Sequence, residues 1–204
     1  MSLGPASRRR AAFAGLSFGV LLLAGCAAPP QVTEDSGGNG LNARRALEAR
    51  RAEGPVLAVI HGQPFGQSEA ERDALVTEAM AAGVRGLAVR FTTDSAAVSG
   101  PEPHLVVVLD PLGVPSPERA CARPDSIPTA PAGERLAVVA AFCQGAQPLG
   151  MVRAEDAVAG PGDRRFRRLL WRTAAALFPD DYVDRYGFNL LPGIDFGVGG
   201  SFGF

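Results

Sequence analysis

The sequence contains no lysine, and all 20 of its basic residues are arginine. A glycine-rich phosphate-binding loop needs a lysine to reach the phosphates, so that kind of nucleotide site is excluded. Because arginine is the only cationic residue the chain uses apart from histidine, a single arginine says little about recognition of a carboxylate or a phosphate. No repeat of about 20 to 50 residues is visible, which excludes solenoid architectures.

The motifs of common enzyme classes are missing as well. The chain has two histidines, His61 and His104, without the His-x-x-His or His-Glu-x-x-His spacing of a zinc site. With Asp94 and Asp110 they offer ligands for a small metal cluster if folding brings them together, and ordinary polar loop residues are the alternative. His61-Gly62 resembles the oxyanion loop of α/β-hydrolases, but residues 55–187 contain no Gly-x-Ser-x-Gly nucleophile elbow. No catalytic residue, cofactor or metal ligand is therefore assigned.

The first 25 residues have the layout of an export signal. Three consecutive arginines, with no acidic residue near them, precede an apolar run over residues 11–25. That run has the length of a signal-peptide core and is shorter than the roughly 20 residues that span a bilayer. It ends in Leu23-Ala24-Gly25, directly before Cys26. This arrangement resembles the lipobox of bacterial lipoproteins, in which the lipoprotein signal peptidase cleaves before the cysteine.

The resemblance implies that Cys26 becomes the first residue of the mature chain and carries a diacylglycerol and an N-linked acyl chain such as palmitate. Several acyl chains together anchor a protein durably. The expected place is the cell envelope, and Ala27 favours the outer membrane facing the periplasm, because an aspartate there would mark inner-membrane retention. Removing residues 1–25 moves the formal net charge from −1 to −4, which disfavours nucleic acid as a partner.

Four regions are expected along the chain: a signal peptide over 1–25, a flexible tether over 26–54, one domain over 55–187 and a Gly- and Phe-rich tail over 188–204. In the tether, a short helix over 41–52 would expose its arginines to solvent on nearly all sides. The tail resembles the last strand of outer-membrane barrel proteins, but a barrel of one chain needs at least about eight strands. A docking tail, a disordered tail and one strand of a shared barrel remain as alternatives.

Hydrophobic periodicity places the elements of the domain in the order β-α-β-β-β-β-α. Strands are predicted over 56–60, 87–91, 105–109, 135–143 and 149–152, the last two as a hairpin. A capping box at Ser68 and Glu71 opens a helix over 68–82 with Gly83 as its left-handed stop, and Asp163 caps a second helix that Pro179 ends. The prediction is an α+β two-layer sandwich, in which a four- to five-stranded, mostly antiparallel sheet carries two helices on one face.

Two cysteines remain after Cys26. Cys121 lies in a Pro-rich loop, and Cys143 ends a predicted strand. An oxidising compartment and an even number of remaining cysteines favour a disulfide between them, which would tie the loop to the sheet. Two independent thiols are the alternative.

Four residues are candidates for a binding surface: His61, Phe65, Arg164 and Arg168. Phe65 lies between the first strand and the capped helix, where it either folds back as a staple or forms part of a recognition surface. Arg164 and Arg168 belong to the polar face of the last helix. That face either meets anionic headgroups or phosphate-bearing glycolipid, or is an ordinary solvated face.

These features favour a non-enzymatic lipoprotein that is held on the membrane by Cys26 and binds another envelope protein or the cell wall. Two alternatives stay open. One is a lipid-anchored periplasmic hydrolase that uses His61 or His104 with an acid. The other is a protein that contributes one strand to an oligomeric outer-membrane assembly.

Overall fold

A computed structural model describes residues 31–35 and 40–180 of the chain. The predicted signal peptide, Cys26 and the tail over 188–204 lie outside the described residues. The strands are β1 (Gln31–Asp35), β2 (Val56–His61), β3 (Phe91–Thr92), β4 (His104–Leu109), β5 (Leu136–Gln144) and β6 (Gln147–Asp156). The helices are α1 (Gly40–Arg51), α2 (Glu69–Gly83), α3 (Pro117–Ala122) and α4 (Arg164–Leu177), and short 3-10 turns cover Ser95–Ala97 and Pro124–Ser126.

The strands form one mixed sheet in the order β1-β6-β5-β4-β2-β3. Strand β2 runs parallel to both β3 and β4, and α2 is the crossover from β2 to β3. The remaining neighbours are antiparallel, with β4, β5 and β6 as a meander and β1 on its outer edge. The α+β class and the β5–β6 hairpin are confirmed. The expected counts of four to five strands and two helices are too low.

Both faces of the sheet are covered, by layers of unequal size. Helices α1, α2 and α4 bury Leu47, Met80 and Leu170 against one face. Helix α3 and Ile127 pack on the other face, where the strands present Val106, Val108 and Val139. A strand that is buried on both faces has a continuous apolar sequence rather than an alternating one. This is why β4 and β5 could be predicted from the sequence.

The N-terminal part of the fold corrects the expected tether over 26–54. Strand β1 pairs with β6 along its length, and α1 packs on the sheet through the buried Ala43 and Leu47. The expectation that the arginines of this helix face solvent is wrong for Arg44 and Arg50, which are 5% and 2% exposed. Their aliphatic stems lie along the core while their guanidinium groups bond to distant backbone carbonyls. The domain therefore includes residues before the expected start at residue 55.

Helix α2 begins as predicted and ends differently. The Glu71 amide donates to Ser68 Oγ at 3.3 Å, and the Ser68 amide donates to the Glu71 carboxylate at 3.1 Å, which completes the capping box. Gly83 is not a left-handed stop but the last residue of the helix, and Val84 after it is extended. A Cβ at Gly83 would lie 2.3 Å from the Trp171 carbonyl oxygen. Glycine is used here because α2 and α4 approach closely.

The C-terminal helix follows the prediction. Asp163 caps α4 by accepting from the Arg165 amide at 2.9 Å. Hydrogen bonds from the Arg165 and Ala159 amides hold the pKa of Asp163 below its ordinary value. Five apolar residues that lie along one side of this helix are all buried: Phe166, Leu169, Leu170, Ala174 and Leu177.

Two strands differ in length from the prediction. Strand β3 has only two residues, although Leu87 and Val89 still pack partly against the core. Strand β6 runs to Asp156, because its alternating second half pairs with both β5 and β1. None of the helices in the described part of the chain is long and apolar enough to cross a membrane.

Candidate functional site

The two histidines lie at opposite ends of the sheet. His61 is the last residue of β2 and pairs with Val108 of the parallel strand β4, whereas His104 is the first residue of β4. Four residues of strand separate Val108 from His104, which is about 13 Å. The structure therefore does not bring His61 and His104 into one site.

His61 is bound into the loop structure beyond β2. Its Nε2 lies 2.8 Å from the Ile127 carbonyl oxygen, to which it donates when protonated there. Its Nδ1 lies 3.9 Å from the carboxylate of Asp125, whose side chain is 91% exposed, so solvent screens any attraction between the two groups. Gly62 packs so closely under the β4 end that a Cβ would lie 2.3 Å from the Leu109 carbonyl oxygen. The imidazole of His61 is therefore in contact with the loop that carries Asp125 and Ile127.

Phe65 folds back, but onto a different helix from the one expected. It packs partly buried against the core, with its ring 5.5 Å from the ring of Phe166 in an edge-to-face arrangement. The contact joins the β2–α2 loop to α4 and contributes stability through aromatic packing. The recognition-surface alternative for Phe65 is not supported by this placement.

His104 is partly buried at the start of β4. Burial lowers its pKa below the ordinary 6.5, and the nearby Glu102 carboxylate offsets part of that shift. Its strand partner across the β4–β5 pair is Cys143. His104 thus lies beside the disulfide-bonded strand with a lowered pKa, and none of the described residues is a catalytic partner in hydrogen-bond contact with it.

The acids considered with the histidines have structural roles. Asp94 accepts from the Ala96 amide and caps a 3-10 turn. Asp110, with a positive φ of 52°, exchanges hydrogen bonds with Ala137 as the chain leaves β4. Across residues 31–35 and 40–180, no group of three or more His, Cys, Asp or Glu side chains is placed to hold a metal ion.

The disulfide expected between Cys121 and Cys143 is present. It joins α3 to β5 under the smaller layer of the fold, and both cysteines are buried. It therefore fixes the Pro-rich segment after β4 on the sheet.

A groove lies between α2 and α4 on the outer surface of the larger layer. Its volume is about 270 Å³, and we call it the α2–α4 groove, lined by Glu78, Ala79, Ala82, Arg167, Arg168 and Trp171. Ala79 and Ala82 make its floor apolar, and Trp171 is 37% exposed along its side. Arg167 forms an ion pair with Glu78 at 3.5 Å across the groove. Next to the groove, Gly83 and Ala174 let the two helices approach closely.

The candidate arginines lie beside this groove. Arg168 lines it, and Arg164, one helical turn earlier, is exposed on the same side of α4. Among the described residues neither forms an ion pair within 4.0 Å, whereas Arg165 donates to the Ala157 carbonyl. Arg168 thus places positive charge beside an apolar groove and also helps to lower the pKa of Asp163, while Arg164 adds a second positive charge one turn away.

Trp171 and the α2–α4 groove were not among the candidates predicted from the sequence. The sequence does contain a signal for Trp171, because this residue follows Leu170 but lies outside the buried apolar stripe of the helix. A large aromatic side chain on the polar side of an amphipathic helix is a feature worth testing for recognition.

Outside residues 55–187, the chain contains two matches to the Gly-x-Ser-x-Gly pattern, around Ser17 and Ser201. Both lie outside the described residues.

Comparison of the chain with protein-family models, with curated proteins and with solved structures finds no match. The functional conclusion therefore depends on the geometry and chemistry of this chain alone.

Proposed function

We propose that this chain is an exported, lipid-anchored envelope protein that binds another envelope protein through the α2–α4 groove. The observation that carries the binding role is Trp171, a large aromatic side chain left partly exposed beside an apolar floor. The lipobox ending at Cys26 supports membrane anchoring. The Cys121–Cys143 disulfide supports export, because such bonds persist in oxidising compartments.

The size of the groove favours a protein partner over a small molecule. Its volume of about 270 Å³ is near the lower end of the roughly 300 to 1,000 Å³ of typical ligand pockets. It has room for one or two apolar side chains of a partner, and tryptophan and arginine are the residues that most often dominate such interfaces. Arg164 and Arg168 at the rim favour acidic residues around the inserted side chain, through complementary charge.

The anchoring part is tested on processing of the precursor. In the native host, globomycin should cause the precursor to accumulate, and mass spectrometry of the mature chain should find acyl groups on Cys26. A Cys26→Ser variant should be neither acylated nor retained in the membrane fraction. A mature protein that is soluble with an unmodified Cys26 refutes the anchoring part.

The binding part is tested by site-specific photo-crosslinking in native membranes. A photoreactive residue at Ala82, in the groove floor, should give one protein adduct of defined mass. The same residue at Ala146, in the exposed β5–β6 turn, is the matched control and should not give that adduct. Arg168→Glu and Trp171→Ala should each remove the adduct from the Ala82 variant. Absence of an adduct at Ala82, or the same adduct from both positions, contradicts the groove as the binding surface.

A further inference from the structure

The strand that follows the anchor lies at a defined end of the sheet. Val32 of β1 pairs with Ala154, which pairs with Val138, which pairs with Leu109 at the end of β4. This row crosses four strands, so Val32 and Leu109 are three strand spacings or about 14 Å apart. Gln31 lies one residue beyond this row, at the end of the sheet where β4 finishes.

The loop after β4 carries the two most exposed large apolar side chains in the described part of the chain. Leu112 is 63% exposed and Val114 is 58% exposed. Pro111 and Pro115 flank them, and both prolines are buried. The backbone is held, because the Leu112 amide donates to the Pro128 carbonyl at 2.8 Å. The fold therefore presents Leu112 and Val114 outward on a fixed backbone.

This loop, residues 111–115, lies near β1, the strand that follows the proposed anchor. Arg153 of β6 donates to the Gly113 carbonyl at 3.4 Å, and Arg153 pairs with Thr33 of β1. One strand spacing and the length of one arginine side chain thus separate β1 from the loop. The turn between β5 and β6, which contains Ala146, lies at the opposite end of the sheet.

The length of chain before β1 limits how far the membrane can be. Four residues lie between Cys26 and Gln31, which makes five steps along the chain, and a fully extended chain covers at most about 3.6 Å per step. An acylated Cys26 therefore lies within about 18 Å of Gln31. The reach of about 18 Å is similar to the distance of about 14 Å between β1 and the end of β4. A bilayer that holds the acyl chains of Cys26 can therefore also contact residues 111–115.

We propose that Leu112 and Val114 form a second membrane contact, which inserts into the interface of the bilayer that holds the acylated Cys26. The inference rests on the proposed function, because it takes the anchor at Cys26 as given. The contact is apolar and not electrostatic: the exposed Asp125 and Glu134 outweigh the exposed Arg123 at this end of the sheet, and Arg135 and Arg153 are both paired with Glu155. Burial of the two side chains favours contact of this end of the sheet with the bilayer, and it leaves the α2–α4 groove, on the outer surface of the larger layer, open to a partner.

The test uses the full acylated chain in vesicles of phosphatidylethanolamine and phosphatidylcholine, with part of the phosphatidylcholine brominated on its acyl chains. In a Trp171→Phe background, Leu112→Trp provides a single tryptophan at the proposed contact. Ala146→Trp in the same background is the control at the opposite end of the sheet. We expect bromine quenching and a blue-shifted emission for Leu112→Trp, with no change in either for Ala146→Trp, and insensitivity of both results to high salt.

The outcomes separate the two proposals. A chain without acyl groups on Cys26 overturns the proposed function and this inference together. An acylated, vesicle-bound chain whose Leu112→Trp emission is not quenched overturns this inference alone. Equal quenching of Leu112→Trp and Ala146→Trp also overturns it, because tryptophan itself prefers the membrane interface and the contact would then not be specific to residues 111–115.

Discussion

Gly83 of α2 lies directly against the backbone of Trp171 in α4, where a Cβ would be 2.3 Å from the Trp171 carbonyl oxygen and 2.7 Å from the Ala174 side chain. In an isolated helix, Gly83→Ala would be favourable by about 1 kcal/mol. Here a backbone atom blocks the added methyl group, and overpacking of this kind costs about 1 to 3 kcal/mol. We expect Gly83→Ala to lower the free energy of unfolding and to weaken crosslinking from the α2–α4 groove.

The control for this substitution is Gly133→Ala. Gly133 has open space around the position of an added Cβ and does not need a positive φ. The free energy of unfolding of the Gly133→Ala variant, measured by urea denaturation, should differ from that of the parent protein by less than about 0.5 kcal/mol. If Gly83→Ala is as stable as Gly133→Ala or more stable than the parent protein, the close helix contact does not constrain α2 and α4.

Removal of the disulfide should lower stability without changing the fold. Cys121 and Cys143 are separated by 22 residues, and closing a loop of that length contributes about 3 kcal/mol on the chain-entropy account. A Cys121→Ala/Cys143→Ala variant should therefore lose about that much free energy of unfolding in urea. It should retain its far-UV circular dichroism, because the larger helix layer does not contact the bond.

The third cysteine provides the control for that experiment. Cys26→Ser removes the proposed acylation site and leaves the Cys121–Cys143 bond in place. Its free energy of unfolding in urea should equal that of the parent chain prepared without acyl groups. Equal stability of the double alanine variant and the parent would show that the disulfide constrains little of the unfolded chain.

The elements that the sequence predicted are those whose signal is local. Helix α4 has an N-cap at Asp163 and a complete apolar stripe, and α2 has a full capping box. Strands β4 and β5 are continuous apolar runs because both of their faces are buried. In these segments the pattern of side chains alone determines the element and its buried side.

The elements that the sequence did not predict depend on contacts far along the chain. Strand β1 is polar and forms through pairing with β6, more than 100 residues later. Helix α1 has a narrow apolar stripe, and Arg44 is ordered by carbonyls of Arg85 and Phe178. The α2–α4 groove likewise depends on how closely two helices approach. The parallel direction of the neighbouring strands β2 and β4, which separates His61 from His104, cannot be predicted from periodicity either.

The two buried arginines of α1 should respond differently to the same substitution. Arg44 bonds to Glu48 at 3.1 Å and to the Arg85 and Phe178 carbonyls at 2.9 and 3.3 Å. Arg44→Met leaves those carbonyls without their donor, so we expect a loss of about 1 to 3 kcal/mol in the free energy of unfolding.

Arg50 is the matched comparison, since it is equally buried but less well bonded. It donates to the Gly100 carbonyl at 2.9 Å, while its Nε and Nη1 atoms have no hydrogen-bond partner in the described part of the chain. The ion pair of Arg50 with Glu53, at 3.6 Å, involves a carboxylate that is 66% exposed, and such pairs contribute little. Arg50→Met should be neutral or stabilising, because methionine avoids the cost of burying unpaired N–H groups. An equal loss for both variants in urea denaturation refutes this distinction.

His104 should make the protein less stable as the pH falls below the ordinary histidine range. Burial lowers its folded-state pKa below the ordinary value of 6.5, so between these two values the unfolded chain binds more protons than the folded one. The free energy of unfolding is then fully retained above about pH 6.5 and decreases as the pH falls toward the lowered value.

We expect His104→Gln to remove this decrease when unfolding is measured from about pH 8 to about pH 5. Glu102→Gln removes the carboxylate that raises the histidine pKa, so it should extend the decrease to lower pH. The carboxyl groups of Glu71 and Asp163 also have lowered pKa values, but they titrate below this range. A decrease near pH 6 that persists in His104→Gln would assign the effect to another group.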